Sequence, residues 1–521
     1  MRTEWVQADG VCWRTSHRDR FIAWAAVLAL LAAVAASMAP VSAGKPSSWT
    51  PPAGMFGSEV AWRTGVEPLW DLGYTGAGID VAVIDTGVNG VQGLDGRGKI
   101  VDGPDFSFDS DDADLRHRDL YGHGTAMASL VAGTNPKGTT LGGDHLAVGM
   151  APDARIVNVK VGDGVGAVDV SQVIAAIDWV VQHRDANGMN IRVMLLAFDT
   201  DSTQGYLLDP LAYAVENAWH HGITVVVSAG NDGKSAQTLG NPAIDPYVIT
   251  VGAVERARGS SWKVPTWASS GDGTRNPDVA MPGQQILAAA VPGSYLANAH
   301  PGAVLATPHG PVIRGNGTSQ AAALAAGAAA SLLEARPDLT PDEVKAALMT
   351  AANDVGIPPK FAGSGLVDLD AAFDANVAGA SQTHPVATGL GSLEASRGGY
   401  HVGPAGDQLT GETTAFGDTW NPAAWTAATS QAAAYTGSSF DGATWSGGSW
   451  LGATWSGATW SGATWSGATW SGATWSGATW SGATWSGATW SGATWSGATW
   501  SGATWSGATW SGATWSGSTW S

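Results

Sequence analysis

Four residues of this 521-residue chain have types and settings that could together break an acyl bond: Asp85 in "VAVIDTGV", His123 in "DLYGHGTAMASLVAG", Asn231 in "SAGND" and Ser319 in "GNGTSQAAALAAG". A serine hydroxyl is a poor nucleophile until a base within hydrogen-bond reach takes its proton, and that base needs a partner to fix its tautomer. Aspartate and histidine supply both. Each residue also has a plainer reading: Ser319 precedes an alanine-rich run and could simply cap a helix, His123 could do the same, and Asp85 could be a turn residue. Taken singly, the plainer readings are the better ones.

The elements around these residues tie them together. Apolar, β-branched runs at 79–86, 155–161, 191–198, 224–230 and 247–254 read as strands. Between them, Val170, Val173, Ile174, Ile177, Val180 and Val181 follow helical spacing, as does much of 207–222. Alternating strand and helix predicts an α/β fold, a parallel sheet with helices on both faces, whose sites lie beyond the carboxyl ends of the strands. Asp85 and Asn231 both fall at that edge.

The motifs D-T-G, G-H-G-T, S-A-G-N-D and G-T-S, in this order, resemble the subtilisin-like serine peptidases, the subtilases, whose chain order is Asp, His, Ser. The resemblance runs over residues 58–375 and includes "RTGVEPLWDLGYTGAGIDVAVIDTGV" at the front and "GSGLVDLDAAF" at the back. It implies a serine endopeptidase acting on protein or peptide substrates through an acyl-enzyme. Ser319 would attack, His123 would be general base and then acid, and Asp85 would orient the imidazole. Asn231 would donate to the oxyanion together with the backbone N–H of Ser319.

Asp199, Ala229 and Gly230 are the substrate-binding residues this resemblance implies. Here "VMLLAFDT" stands where the family usually reads V-I-N-L-S-L-G-T, so Asp199 takes the place of a glycine at a pocket rim and should favour a cationic side chain near the scissile bond. The family's G-T-S-M-A-x-P-H is "GTSQAAAL", with Gln320, Ala323 and Leu324 expected to repack behind the nucleophile. No cofactor is required and no metal ligand is assigned. Subtilases often bind calcium, for which Asp109, Asp111, Asp112 and Asp114 are candidates, with a solvated acidic loop as the alternative.

Other motifs fail on context. "HRDL" (117–120) has Gly124 where a kinase catalytic loop needs Asn, G-x-S-x-G breaks at Ala321, and no H-E-x-x-H occurs. The net charge of −19 argues against a nucleic-acid partner.

The chain ends are of different character. Arg14, Arg18 and Arg20 precede the apolar run "FIAWAAVLALLAAVAASMAP" and then "VSAGK", the pattern of a secretion signal over 1–43 cleaved after Ala43, with a retained anchor as the alternative. The single cysteine, Cys12, would leave with the signal, so no disulfide scaffold is expected in the mature chain. Residues 44–57 form a short segment that leaves little room for the family's inhibitory pro-domain. Residues 376–417, rich in Gly, Ala, Ser and Thr, read as a linker.

In the tail, 418–521, every fifth residue from Trp420 to Trp520 is aromatic except Ser430, and no charge follows Asp441. A period of five presents one face only if the chain turns once per repeat, as in a β-solenoid; a flexible low-complexity tail is the alternative. Such a tail could bind a cell surface or glycan, or self-associate. The rival to a secreted peptidase is therefore a non-catalytic surface or adhesive protein built on the same scaffold.

Overall fold

The computed structural model describes residues 5–8, 11–14, 55, 57–110, 112, 114–134, 149–256, 261–307, 310–403 and 408–434, and short strands of the tail from 439 onward. An N-terminal unit, 1–52, contributes an antiparallel hairpin, Trp5–Ala8 with Val11–Arg14. The apolar run expected to be a secretion signal lies outside the described residues. Among those described, no helix is long and apolar enough to cross a membrane.

The elements that carry the catalytic candidates are built around one sheet. Its strands in chain order are β1 (Asp80–Asp85), β2 (Ile100–Asp105), β3 (Arg155–Lys160), β4 (Ile191–Leu196), β5 (Thr224–Ser228), β6 (Ile249–Arg256) and β7 (Val279–Pro282). They run in parallel in the spatial order β7-β6-β5-β4-β1-β3-β2, and Trp262–Lys263 adds a short antiparallel strand beside β6. All five strands read from the apolar runs are present, with ends shifted by one or two residues. The chain goes from β1 outward to β2, returns through β3 and then crosses to β4 on the other side, so β1 is where the winding reverses. Parallel sheets open a crevice there, beyond the carboxyl ends, and Asp85 is the last residue of β1.

The strands are apolar on both faces because both are covered: every residue of β1 and β5 is buried. One face carries α1 (His123–Ala132) and α2 (Thr318–Ala335); the other carries α3 (Val170–His183) and α4 (Pro210–His220). Helix α2 is buried continuously from Thr318 to Leu333, which its run of small residues allows by letting it lie close to the sheet and to α1. Helix α3 starts on a capping box: Asp169 accepts from its first turn while the Gln172 side chain accepts from the Asp169 N–H.

The stretch read as a linker is a strap folded onto the α3 and α4 face. It carries one short helix, α5 (Leu393–Arg397), and it continues past the expected boundary at 417 into a second, α6 (Pro422–Thr429), so the first residues read as repeat tail belong to the strap, held there by Trp425 and Thr429 on Asp178. Along its length His384 O accepts from Tyr247 Oη (2.6 Å), Ala387 N donates to Glu216 (2.8 Å) and Ser396 O accepts from Thr200 Oγ1 (2.6 Å). Trp425 Nε1 donates to Asp178 at 2.8 Å. Arg397 is wholly buried. The composition suggested a linker because the strap's apolar content is low. What fixes it is scattered polar pairing with helix and loop side chains, plus isolated buried residues such as Val377 and Leu393, which leaves no periodicity in the sequence.

Beyond residue 438 the backbone forms strands of two or three residues, from Ser439–Asp441 to Thr519–Trp520, spaced by five. Each pairs in parallel with the strand twenty residues on, Trp445 opposite Trp465 and Trp460 opposite Trp480, in four ladders.

Candidate active site

Asp85 closes β1 with its carboxylate buried, and His123 opens α1. The imidazole Nδ1–H donates to both carboxylate oxygens, at 2.8 Å to Oδ1 and 2.9 Å to Oδ2, and the Thr86 N–H donates to Oδ1 at 2.7 Å. This closeness depends on the residue after His123. A Cβ on Gly124 would fall 2.2 Å from Gly87 O and 3.1 Å from the Asp85 Cβ, so a larger residue would push α1 off the strand. The His123 side chain is 22% exposed, and among the described residues its far nitrogen, Nε2, has no hydrogen-bond partner. Burial works against the imidazolium, but the charge and hydrogen bond of Asp85, with Asp119 behind them, outweigh it and hold the His123 pKa above its ordinary value.

Asp119 was not among the residues singled out for chemistry, and it is the hub of this corner. Its carboxylate accepts from Thr86 Oγ1 (2.9 Å), from Gly122 N (2.6 Å) and from Thr125 N (2.8 Å), fixing the loop on both sides of His123. The signal was present as the aspartate of "HRDL", four residues before the histidine.

Two strands away at the same edge, Asn231 follows β5. Its Oδ1 accepts from the Thr318 N–H at 2.9 Å and from Thr318 Oγ1 at 3.1 Å, and Thr318 Oγ1 also accepts from Gly230 N at 3.2 Å. With the carbonyl end so held, Nδ2 is the free end of an exposed side chain, without a protein partner among the described residues. A Cβ on Gly317 would lie 3.7 Å from Ser319 N and 3.8 Å from Asn231 Nδ2, so the two donors lie on the same side of this glycine, with the Gln320 side chain also close to it. Ser319 is in the first turn of α2, 9% exposed, at the positive end of the helix. No direct hydrogen bond joins Ser319 Oγ to His123, a contact that commonly tightens only with substrate.

The remaining predicted residues fall in different places. Asp199 follows β4, between the strands that carry Asp85 and Asn231, with its carboxylate against Gly230. Ala229, expected to bind substrate, is fully buried with its N–H on Val251 O, so it supports Gly230 and Asn231 from below. Ala323 and Leu324 are buried as expected. Gln320, in contrast, turns back under the loop that precedes Ser319. A Cβ on Gly315 would meet its Nε2 at 2.4 Å and one on Gly317 its Oε1 at 2.7 Å. In the acidic loop the Asp109 carboxylate pairs with buried Lys160 at 3.2 Å and Asp112 accepts from Asp114 N, while Asp111 lies outside the described residues. Among the described residues no group of three or more His, Cys, Asp or Glu is placed to hold a metal ion.

Residues 76–370 match the model of the Subtilase family. The chain belongs to that family of serine endopeptidases. It is 33% identical over 306 residues to the serine protease AprX of Bacillus subtilis (strain 168), covering 57% of this chain and 66% of AprX. To a subtilisin of Bacillus pumilus it is 32% identical over 307 residues, covering 58% of this chain and 94% of the subtilisin. Among solved structures it is similar to fervidolysin from Fervidobacterium pennivorans, a keratinolytic enzyme related to subtilisin. The TM-score there is 0.50 at 28% identity, over 65% of this chain and 49% of that one. This subtilase therefore spans about half the length of the fervidolysin chain, and its strap and repeat tail lie outside the family match. The alternative of a non-catalytic surface protein is not favoured by these relatives.

Proposed function

We propose that this chain is a secreted endopeptidase that hydrolyses peptide bonds with Ser319 as nucleophile, His123 as general base and then acid, and Asp85 as the group that orients His123. The observation that carries the reading is the two-point contact of Asp85 with His123 Nδ1, which favours the Nδ1–H tautomer and leaves the Nε2 lone pair as the acceptor. As Ser319 Oγ attacks the scissile carbonyl carbon, its proton passes to Nε2 and the imidazolium is stabilised by the Asp85 charge. The carbonyl oxygen, now an oxyanion, is received by Asn231 Nδ2 and the Ser319 N–H. His123 returns the proton to the leaving amine. Water then repeats the sequence on the acyl-enzyme.

Export by the N-terminal apolar segment, with cleavage after Ala43, belongs to the same proposal. So does a β-solenoid tail of four strands per coil that tethers or assembles the enzyme, for which the twenty-residue pairing interval is the support.

The deciding experiment is labelling by a fluorophosphonate probe together with hydrolysis of a short peptide substrate, in the full chain and in Ser319→Ala. Both signals should be present in the first and lost in the second, with rate falling by roughly 10⁶-fold. Wild-type-like hydrolysis by Ser319→Ala would remove Ser319 from the mechanism.

A further inference from the structure

We infer that the slot beside Asn231 selects a lysine or arginine side chain on the residue that donates the scissile carbonyl, with Asp199 as the carboxylate that receives it. The inference rests on the endopeptidase reading above and names its substrate class.

Position comes first. Strand β4 lies between β1 and β5, so the chain that leaves it carries Asp199 to the carboxyl edge between Asp85 and Asn231. There the side chain occupies space left by two glycines. A Cβ on Gly240 would fall 2.5 Å from Asp199 Oδ2, and one on Gly230 would fall 3.1 Å from the same oxygen. Gly230 directly precedes Asn231, whose Nδ2 is the proposed donor to the carbonyl oxygen. The residue bearing that carbonyl would branch one bond from the carbonyl carbon, and a side chain extended past Gly230 would meet Asp199.

Charge comes second. The Asp199 carboxylate has no hydrogen bond or ion pair among the described residues, although the side chain is largely buried. Burial first, then the like charges of Asp232 and Asp201, push its pKa up to about 6. Asp232 follows Asn231, Asp201 is two residues on and accepts from Gly399 N of the strap at 2.7 Å, and Tyr400 of the strap feels all three carboxylates. None of these neighbours can neutralise Asp199. A buried carboxylate without a partner is unfavourable, and a cation brought by substrate relieves it, whereas an apolar side chain desolvates it further and an acidic one is repelled.

The test measures kcat/KM of the full chain on four peptide anilides that differ only in the residue before the scissile bond: Lys, Arg, Leu and Glu. Lys and Arg should exceed Leu by at least about tenfold, with Glu lowest. Asp199→Asn, which keeps the shape and removes the charge, should bring Lys down towards Leu; Asp199→Gly should do so while opening the slot to large apolar residues. Thermal melting checks that both variants are folded. A wild-type enzyme that takes the fluorophosphonate label yet cleaves Leu as well as Lys overturns the inference and leaves the endopeptidase reading standing. Retention of the Lys preference in both variants also overturns it. A chain that takes no label overturns both.

Discussion

Arg397 and Asp169 meet at 2.5 Å with both side chains wholly buried, which joins the strap to the first turn of helix α3. The guanidinium also donates to Gly411 O at 2.5 Å and to Thr413 O, so one side chain gathers the strap and the helix cap together. Asp169 meanwhile caps α3. A buried charge that loses its partner is far costlier than a surface one. Arg397→Ala should therefore destabilise the fold by about 3–5 kcal/mol, seen as a lower midpoint in urea or thermal unfolding. By the same argument a chain ending at residue 375 should not reach the native state. A chain ending at 434, which keeps Trp425 and Thr429 on Asp178, should fold and hydrolyse small peptides as the full chain does. Loss of small-peptide hydrolysis in that shorter chain would assign the repeat tail to folding or catalysis and not to tethering.

The strap also marks the limit of what the sequence made legible. The five strands were readable because both faces of the sheet are covered, and that forces uninterrupted β-branched runs such as "VAVI" and "VVVS". Edge strand β2, with the sequence IVDGPD, is only partly buried, so it has no such run. Asp85, His123, Asn231 and Ser319 were readable because glycines must flank them for close backbone approach, and those glycines make the motifs conspicuous. Asp119 and Thr318 lie inside stretches that were noticed, "HRDL" and "GTS", but their partners were not legible: Asp119 accepts from Thr86 as well as from its own loop, and Thr318 donates to Asn231 far away in sequence, which neither spacing nor composition records. Gln320 could be seen as a departure, but its direction could not: it depends on the space left by Gly315 and Gly317. The strap failed for the same reason as Asp119, because its fixing contacts are single polar pairs such as Arg397 with Asp169.

Asn231 offers a second quantitative expectation. Its Oδ1 is held by Thr318, so under the proposed mechanism its Nδ2 would be set in place before the oxyanion forms. Preorganised donors of this kind act on the transition state more than on bound substrate. Asn231→Ala should lower kcat by roughly 10²–10³-fold with little change in KM, the magnitude known for the equivalent donor in subtilisin. Thr318→Val, which keeps the N–H and removes the hydroxyl, should lower kcat less, because the main-chain bond to Oδ1 remains. A rise in KM at constant kcat for Asn231→Ala would place the residue in ground-state binding.

The last expectation concerns pH. Hydrolysis needs neutral His123, so kcat/KM should rise as pH increases through the imidazole pKa. Burial alone would lower that pKa, but Asp85 and then Asp119 raise it, so the midpoint of the acid limb should lie above the ordinary histidine value of 6.5. Removing the charge of Asp119 removes part of what holds the proton on His123. In Asp119→Asn the limb should therefore move to lower pH, and the enzyme should keep a larger share of its plateau rate in mildly acidic buffer. The plateau itself should fall, since an amide cannot accept from Gly122 N, Thr125 N and Thr86 Oγ1 as the carboxylate does. The two effects separate cleanly: the plateau reports the positioning of the loop, and the midpoint reports the charge. The measurement is kcat/KM against pH for wild type and Asp119→Asn on one neutral peptide substrate. A lowered plateau with an unmoved midpoint would show that Asp119 carries its own proton in the free enzyme, consistent with the upward push that burial gives its pKa, and acts on His123 through hydrogen bonds alone.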